Sequence, residues 1–396
     1  MNPSELLERL ARKHDVPGSQ LVIRRGGEVF EACHGVTKES AFPLGSLTKP
    51  FTAALVLTLA EDGDLGLDEV LPRLPVTPRQ LLTHTAGLAA NVEQQERVSR
   101  KRWVARHCRP EDLVHRPGEV FSYSNAGYVL AGHLVEDVTG VNWWDAVESI
   151  LLWPLGITPS FVAGPPTERR PVPGHSGSRV ITDQALPELE APAGALALSA
   201  ADLAAFALKH DAAMRQDHLA GHPAGPYGLA DGWGPGWAVY REAGRTWFGH
   251  DGTGDGTSCH LRFEPDSATV VVLTTNAATG SALWPDLVDE LRADGIAVAD
   301  HRPAPDGPEA TEAQAEELTG RYANGDALVD VAHRGGGRLD LSIDGGPGVT
   351  VTCRADLTFT VPGSPVTPGR FLPGRLLQLG GRTARPLPAQ GRRTSQ

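Results

Sequence analysis

The sequence has few cysteines, fewer basic than acidic residues, and no long apolar run. Its four cysteines are far apart and form no C-x-x-C pair, which argues against a disulfide framework and against a zinc site, so we expect free thiols and no metal. Asp and Glu total 48 against 36 for Lys and Arg, which leaves no electrostatic basis for binding nucleic acid. No apolar run approaches the roughly 20 residues that span a bilayer, and we expect no membrane partner.

The N-terminal segment also lacks the features of a signal peptide. Residues 1–18 alternate charged residues with leucine at helical spacing. They contain no apolar core of roughly 7 to 15 residues, which a secretory signal requires. The sequence therefore predicts a cytoplasmic protein.

The chain is long enough for two globular units. Its 396 residues exceed the size at which one hydrophobic core usually stops growing, and its 40% apolar and 21% charged residues are typical of a folded protein. The stretch HRPAPDGPEATE has the composition of a linker. We predict a large domain over residues 1–300, a linker over 301–312 and a small all-β domain over 313–396.

Hydrophobic periodicity predicts an α/β (α+β) fold for the large domain. Ser4 is a plausible N-cap for a first helix, and Gly63 follows a second helix that is apolar on every face. Ser124 and Gly140 bound a further helix. Helices are predicted over 4–13, over 51–60 and across much of 78–160, strands over 20–24, 28–33 and 236–276, and loops over 163–193. Short alternating runs after residue 312 predict a small antiparallel β unit.

Ser46 and Lys49 are the strongest candidates for catalysis. They form a Ser-x-x-Lys motif directly before the apolar helix, and Pro50 requires that this helix begin near Ser46. Residues three apart on a helix share a face, so the amine and the hydroxyl point the same way. A lysine with a lowered pKa, or one that stabilises an alkoxide, activates a serine. The alternative, a capped helix with a solvated lysine, is disfavoured because the helix is apolar all round.

The blocks around these residues resemble the class C β-lactamase-like serine hydrolases of the penicillin-binding-protein-type superfamily. In chain order they are FPLGSLTKPFTAALVLTLAEDGDLGLDE, PRQLLTHTAGL, PGEVFSYSNAGYVLAGHLVEDVTG and FGHDGTGDGTSCHLRFEPDSATVVVLTTNA. The resemblance implies an antiparallel sheet flanked by helices, a helical subdomain, and an active site between them. The tail resembles the lipocalin-like β-barrel that some members append.

The resemblance also assigns roles to the Tyr-x-Asn motif. Tyr123 would be the proton shuttle, with a pKa lowered by the neighbouring cations Lys49 and His250. Asn125 would bind a substrate amide. The alternatives are that Tyr123 is an aromatic at the rim and that Asn125 is the N-cap of the next helix.

A third block, His250-Asp251-Gly252, stands where many β-lactamases have Lys-Thr-Gly. It resembles the esterases, D-peptidases and acyltransferases of the family, and so does not favour β-lactam hydrolysis. His250 would polarise Tyr123 or hold a substrate carboxylate, and Gly252 would let the substrate lie flat against the strand.

The remaining site residues complete an acyl-transfer centre. By the resemblance, the backbone N–H groups of Ser46 and Thr253 would form the oxyanion hole. Trp233 and Trp237 line an apolar substrate pocket or belong to the core, two readings that the sequence leaves open. His84 is interpreted as structural.

These residues predict a serine acyl-enzyme hydrolase or acyltransferase that attacks an ester, thioester or amide carbonyl of a peptide-like substrate and needs no cofactor. Its partners would be an acyl donor and either water or an amine. The barrel and the predicted location favour a transacylase of natural-product biosynthesis, amide-forming or peptide-cyclising, similar to penicillin-binding-protein-type thioesterases. The alternatives are an intracellular esterase or D-amino-acid peptidase and, less favoured, a non-catalytic binding protein.

Overall fold

The computed structural model describes residues 2–92, 98–209, 212–363 and 366–388. The α-helices are α1 (Pro3–Lys13), α2 (Lys49–Glu61), α3 (Pro78–Leu82), α4 (Arg100–His107), α5 (Asn125–Thr139), α6 (Trp143–Ala146), α7 (Ala191–Gly194), α8 (Ala200–Lys209), α9 (Gly280–Ala293) and α10 (Glu312–Glu317). Within these ranges, no helix combines the length and apolarity needed to cross a bilayer.

Strands fall into two large antiparallel sheets and two short pairs. Those of the large domain are β1 (Ser19–Arg25), β2 (Glu28–His34), β3 (Phe42–Pro43), β4 (Gly174–Ser176), β5 (Arg179–Ile181), β6 (Ala197–Leu198), β7 (Gly232–Trp233), β8 (Ala238–Glu242), β9 (Arg245–Gly254), β10 (Thr257–Glu264) and β11 (Thr269–Thr275). Those after the large domain are β12 (Gly320–Asn324), β13 (Ala327–His333), β14 (Arg338–Ile343), β15 (Val349–Thr352), β16 (Thr358–Val361), β17 (Thr367–Leu372), β18 (Leu376–Leu379) and β19 (Arg382–Pro386).

The central sheet has seven strands in the order β2-β1-β11-β10-β9-β8-β7. The predicted turn between the first two strands is confirmed, because Gly26 and Gly27 have φ angles of 58° and 88°, a conformation that glycine adopts without strain. Every residue of β10 and β11 is buried, so both faces of the sheet are covered. The predicted antiparallel sheet flanked by helices is therefore confirmed.

Alternate residues of β1 enter two separate hydrophobic cores. Leu21 and Ile23 pack with residues of α1 and α9, whereas Val22 packs with residues of α2 and α8. Successive side chains of a strand point to opposite faces, so this pattern places the sheet between two helical layers. The layer that contains α2 carries the candidate nucleophile.

Two helices, α1 and α5, test the caps that the sequence predicts. Ser124 caps α5 and Gly140, with a φ of 74°, ends it, both as predicted. The predicted N-cap of α1 is wrong, because the Asn2 side chain accepts the backbone N–H of Ser4 at 3.1 Å. The helix begins at Pro3, and Ser4 lies inside its first turn.

The predicted loop region over 163–193 contains short elements of its own. The hairpin of β4 and β5 and the start of α7 lie within it. A 3-10 turn over Glu188–Glu190 precedes α7, and several residues between 184 and 194 line the candidate site.

The eight C-terminal strands form a nearly closed antiparallel barrel in the order β15-β14-β13-β12-β19-β18-β17-β16. Its interior is filled by apolar side chains that include Tyr322, Leu339, Phe359 and Phe371. The small β-barrel that the sequence predicts is therefore confirmed. Its boundaries stay predictions, and residues 364–365 and 389–396 of the predicted domain lie outside the described ranges.

All four cysteines are free, as predicted. Cys33 is exposed, whereas Cys108, Cys259 and Cys353 are buried. Burial raises the pKa of Cys108 and Cys259 to about 12, so these two groups stay protonated thiols at neutral pH.

Candidate active site

The Ser46 turn lies directly against strand β9. Residues 45–48 form a 3-10 turn that runs into α2, with Pro50 at the second position of that helix, as predicted. Gly45 has a φ of 51°, and a Cβ added there would lie 2.1 Å from the carbonyl oxygen of Thr253. A Cβ on Gly252 would lie 1.9 Å from the carbonyl oxygen of Leu44. Two glycines therefore permit the contact that brings Ser46 next to Thr253.

Gly252 thus has a structural reason to be glycine that the sequence did not reveal. The close approach at this position is made by the protein's own Ser46 turn. The contact of Gly252 with a substrate stays a prediction.

Lys49 is completely buried and faces the serine. Its Nζ donates hydrogen bonds to Ser46 Oγ at 2.9 Å and to the carbonyl oxygen of Ala193 at 3.0 Å. Burial lowers the pKa of Lys49 to about 7, an effect that Glu190 opposes and Arg382 reinforces. The alternative of a solvated lysine is wrong, and the neutral amine that forms near pH 7 can accept the serine proton.

Tyr123 lies between Lys49 and His250. Its ring centroid is 4.9 Å from Lys49 Nζ and 6.1 Å from the centroid of the His250 ring. Its buried Oη faces Ser46 but makes no well-formed hydrogen bond with the described residues. Burial raises the pKa of Tyr123, and the Ser46 hydroxyl and Arg382 offset only part of that rise.

The predicted lowering of the Tyr123 pKa is therefore wrong. The prediction treated Lys49 and His250 as cations, but burial lowers the pKa of Lys49 to about 7 and that of His250 to about 3. Neither side chain supplies a permanent positive charge. Tyr123 stays a protonated phenol at neutral pH, so it can donate a proton but does not hold a negative charge at rest.

His250 is neutral and its tautomer follows from its contacts. Its Nδ1 lies 2.6 Å from the carbonyl oxygen of Asp251, so this nitrogen carries the hydrogen. The other nitrogen, Nε2, is buried and has no partner among the described residues. A neutral ring with a free Nε2 can accept a hydrogen bond, whereas holding a carboxylate would require the imidazolium that burial disfavours.

Next to His250 in sequence, the Asp251 carboxylate is held by side chains of the neighbouring strand β10. The buried guanidinium of Arg262 donates to both of its oxygens, at 2.7 and 3.0 Å, and His260 Nδ1 lies 2.8 Å from one of them. Burial would raise the pKa of Asp251, but Arg262 and His260 hold it well below its usual range. This ionic cluster fixes the strand segment that carries His250.

Asn125 is a site residue and not a helix cap. Ser124 Oγ accepts the backbone N–H of Gly127 at 2.9 Å and fills the capping position of α5. The Asn125 side chain is left free to line the site, where its Nδ2 lies 3.4 Å from Glu190 Oε2 and its buried Oδ1 has no partner among the described residues. The alternative interpretation of Asn125 as an N-cap is wrong.

Two cavities meet at Ser46 and Thr253. We call the first, of about 290 Å³, the Glu190 cavity; its polar lining is Ser46, Asn125, Gln184, Glu190, Thr253 and Asp255. We call the second, of about 240 Å³, the Arg382 cavity; among its lining residues are Ser46, Tyr123, Trp233, His250, Gly252, Thr253 and Arg382. A cleft of about 830 Å³ shares Asn125 and Glu190 with the first cavity. A substrate therefore has room on both sides of the nucleophile.

The two candidate tryptophans have different positions. Trp233 lines the Arg382 cavity, with its ring centroid 5.9 Å from that of Tyr123 and 5.5 Å from that of His250. Trp237 is 1% exposed and packs against Phe206 and Phe263 in the main core. The structure therefore brings Trp233 to the site and assigns Trp237 to the core.

Glu190 and Arg382 reach the site without having been predicted there. Glu190 ends the 3-10 turn that directly precedes α7, and Arg382 comes from the barrel hairpin of β18 and β19. Neither lies in a block that resembles the family, and no local pattern marks them. His84, interpreted as structural, accepts the backbone N–H of Ser124 through Nδ1 at 3.0 Å and packs 4.2 Å from the Tyr123 ring centroid, which agrees with that interpretation.

Comparison with known proteins identifies a family and several relatives. The family described as Beta-lactamase matches residues 4–292. Penicillin-binding protein 4 of Amycolatopsis lactamdurans is 30% identical over 342 residues, which is 72% of this chain and 88% of that protein. The crystal structure of SurE is 36% identical with a TM-score of 0.86, and the match covers 97% of this chain and 98% of SurE.

Two more structures are informative. SurE has also been solved with D-Leu, at 35% identity and a TM-score of 0.84 over the same shares of both chains. D-amino acid amidase from Ochrobactrum anthropi SV3 is 22% identical with a TM-score of 0.61, over 74% of this chain and 97% of the amidase, and it shares the fold of the large domain.

Proposed function

Because this chain belongs to the beta-lactamase family of serine enzymes, we propose that it transfers an acyl group from a peptide-like ester, thioester or amide to an amine. Ser46 is the nucleophile and forms the acyl-enzyme. In this proposed role the enzyme catalyses an amide-forming or peptide-cyclising step of natural-product biosynthesis in the cytoplasm. The geometry around Glu190 supports it most directly.

Acylation follows from the protonation states of the site. Neutral Lys49 accepts the proton of Ser46 as Oγ bonds to the carbonyl carbon, and the N–H groups of Ser46 and Thr253 stabilise the oxyanion. As the bond to the leaving group breaks, the Tyr123 phenol donates its proton to the departing atom. Lys49 then returns its extra proton to Tyr123, so the site is neutral again beside the acyl-enzyme.

The observation that carries the choice of acceptor is the state of Glu190. This carboxylate is 6% exposed, lines the same cavity as Ser46 and has Asn125 Nδ2, at 3.4 Å, as its hydrogen-bond partner among the described residues. Burial raises its pKa, while Lys49 and Asn125 lower it. A buried carboxylate without a contacting cation is costly, and a bound ammonium group would offset that cost. An amine held there lies next to the acyl-enzyme.

In aminolysis Lys49 again carries a proton, this time from the amine to Ser46. The bound amine loses a proton to Lys49, whose pKa of about 7 is close to that of an α-amino group, near 7.7–8.0. The neutral amine attacks the acyl carbonyl and its nitrogen then releases a second proton to solvent, while Ser46 Oγ departs and takes the proton held by Lys49. The products are an amide and the free enzyme. The complex of SurE with D-Leu supports a D-configured residue in one of the two substrates.

The second candidate is a D-amino-acid peptidase or esterase, with water as the acceptor. The same Glu190 carboxylate fits the α-ammonium group of a donor D-residue, and the fold shared with a D-amino acid amidase agrees with that reading. A non-catalytic binding protein is disfavoured, because Lys49 has its pKa lowered and is hydrogen-bonded to Ser46.

Product partition separates the two enzymatic candidates. The protein is incubated with peptidyl thioesters that end in a D- or an L-residue, with rising concentrations of an amine, and the amide and acid are measured by mass spectrometry. Predominant amide at low millimolar amine, absent in Ser46→Ala, supports the transacylase. Predominant acid in the presence of excess amine overturns it in favour of the hydrolase.

A further inference from the structure

The loop that carries Tyr123 is hydrogen-bonded to the barrel as well as to the catalytic domain. The backbone N–H of Tyr123 donates to the carbonyl oxygen of Gly381 at 2.9 Å. One residue earlier, Ser122 Oγ accepts the backbone N–H of Thr383 at 3.1 Å. Thr383 Oγ1 donates to the carbonyl oxygen of Phe121 at 2.7 Å. Residues 121–123 therefore lie along the β18–β19 hairpin.

Asn324, at the end of β12, is hydrogen-bonded to both sides of the contact between the loop and the barrel. It is 5% exposed, and its Oδ1 accepts the backbone N–H of Ala90 at 2.7 Å. Its Nδ2 donates to Ser122 Oγ at 3.1 Å and to the carbonyl oxygen of Thr383 at 2.7 Å. One buried amide thus connects the catalytic domain, the Tyr123 loop and the hairpin, and each of its polar atoms is satisfied.

The catalytic domain holds the same loop from the other side. The Ser122 backbone N–H donates to the carbonyl oxygen of His84 at 2.9 Å, and that of Phe121 donates to Ala224 at the same distance. The carbonyl oxygen of Phe121 and the N–H of Tyr123, however, find their partners in the barrel. Without the hairpin, these buried groups would lose their partners, and the loop would lose the contacts nearest to the phenol.

We propose that the barrel is part of the catalytic apparatus and that Asn324 and Thr383 are positioning residues for Tyr123. The proposal rests on the proposed function in one respect, because it takes Tyr123 as the acid that protonates the leaving group. A displacement of about 1 Å at a proton-transfer group costs on the order of 100-fold in rate, so hydrogen bonds to the loop are sufficient to control it.

Loss of a residue that positions Tyr123 should have a kinetic effect that general destabilisation of the fold does not have. A leaving group of low pKa departs without a proton, whereas an alkoxide or an amine needs one. Misplacing Tyr123 should therefore slow alkyl esters and amides much more than a p-nitrophenyl ester. It should act on kcat more than on KM, because the lost interaction belongs to the transition state.

The experiment compares Asn324→Ala, Thr383→Val and Thr383→Ser in the full chain, alone and with Tyr123→Phe. Asn324→Ala and Thr383→Val should lower kcat for an alkyl ester by about 10- to 100-fold and for the p-nitrophenyl ester by less than about 3-fold. Thr383→Ser keeps the hydroxyl and should retain the wild-type ratio. In the Tyr123→Phe background, Asn324→Ala should add less than about 2-fold, since the group it positions is gone.

The control is Leu339→Ala, which empties a fully buried position of the barrel core far along the chain from the loop contacts. It should lower the melting temperature without changing the ratio of the two esters. The positioning role alone is overturned if Asn324→Ala and Thr383→Val lower kcat equally for both esters. It is also overturned if their effects on kcat are fully additive with that of Tyr123→Phe. A Tyr123→Phe variant that treats both esters alike overturns the acid role of Tyr123 and this proposal with it.

Discussion

The amine of Lys49 lies 2.9 Å from the hydroxyl of Ser46, and Lys49 is completely buried. A charged ammonium is poorly solvated in that position, so the pKa of Lys49 falls to about 7. The group that activates the nucleophile therefore changes charge near physiological pH, and both the rate and the stability of the protein should report that change.

The acylation rate should rise with pH through a midpoint near 7. Below the midpoint Lys49 is protonated and cannot accept the serine proton, so kcat/KM for a p-nitrophenyl ester should fall about tenfold per pH unit. His250, with its pKa lowered to about 3, should add no second step between pH 5 and 9. A profile with its midpoint near 4 to 5 would instead indicate a carboxylate base.

Two neighbours should move that midpoint in opposite directions. Arg382 lowers the pKa of Lys49 and Glu190 raises it. Arg382→Gln should therefore shift the midpoint of kcat/KM upward, and Glu190→Gln should shift it downward. Midpoints that move the same way in both variants would contradict the assignment of the profile to Lys49.

Replacement of Lys49 by methionine should stabilise the protein while abolishing acylation. The pKa of Lys49 is lowered from 10.5 to about 7 on folding, so the lysine destabilises the fold most below pH 7 and progressively less as the pH rises toward 10.5. Lys49→Met should raise the melting temperature at pH 6.5, and the difference should shrink by pH 9.5. A difference that grows with pH would contradict the lowered pKa. Ser46→Ala, which leaves the lysine in place, is the control.

The sequence was sufficient for the parts of the site that lie in local motifs. The spacing of Ser46, Lys49 and Pro50 indicates a turn and a helix start, and Ser124 and Gly140 mark the two ends of α5. These features depend on residues a few positions apart, so they can be predicted without knowing the tertiary structure.

Features that depend on packing were missed or mistaken. Glu190 enters the site from a short 3-10 turn in a region predicted as loop, and Arg382 enters it from another domain, and no local pattern marks either residue. The pKa of Tyr123 was predicted to fall because the burial of Tyr123 itself, and that of Lys49 and His250, could not be seen from the sequence. Trp233 and Trp237 are four residues apart in one Gly-rich stretch, and only the fold distinguishes cavity from core.

Glu190→Gln should reduce transfer to an amine and leave hydrolysis of the same donor largely unchanged. The amide keeps the shape of the side chain but loses the charge that would hold an ammonium group, so the ratio of amide to acid should fall by about tenfold. The matched control is Asp255→Asn, because Asp255 lines the same cavity but accepts the backbone N–H of Ala185 at 2.7 Å. Equal falls in both products would place Glu190 in acylation instead.

Gly252→Ala should disable acylation by moving the serine turn. The added Cβ would lie 1.9 Å from the carbonyl oxygen of Leu44 and 2.8 Å from the backbone nitrogen of Leu47. Both are backbone atoms, so the clash cannot be relieved by the rotation of a side chain. We expect unfolding free energy to fall by about 1–3 kcal/mol. The rate of Ser46 labelling by a fluorophosphonate should fall by on the order of 100-fold, because the hydroxyl moves relative to Thr253. The control is Gly127→Ala in α5, whose Cβ would meet no atom closer than 3.5 Å. Normal labelling in Gly252→Ala would mean that the contact between the serine turn and β9 does not set the geometry of the nucleophile.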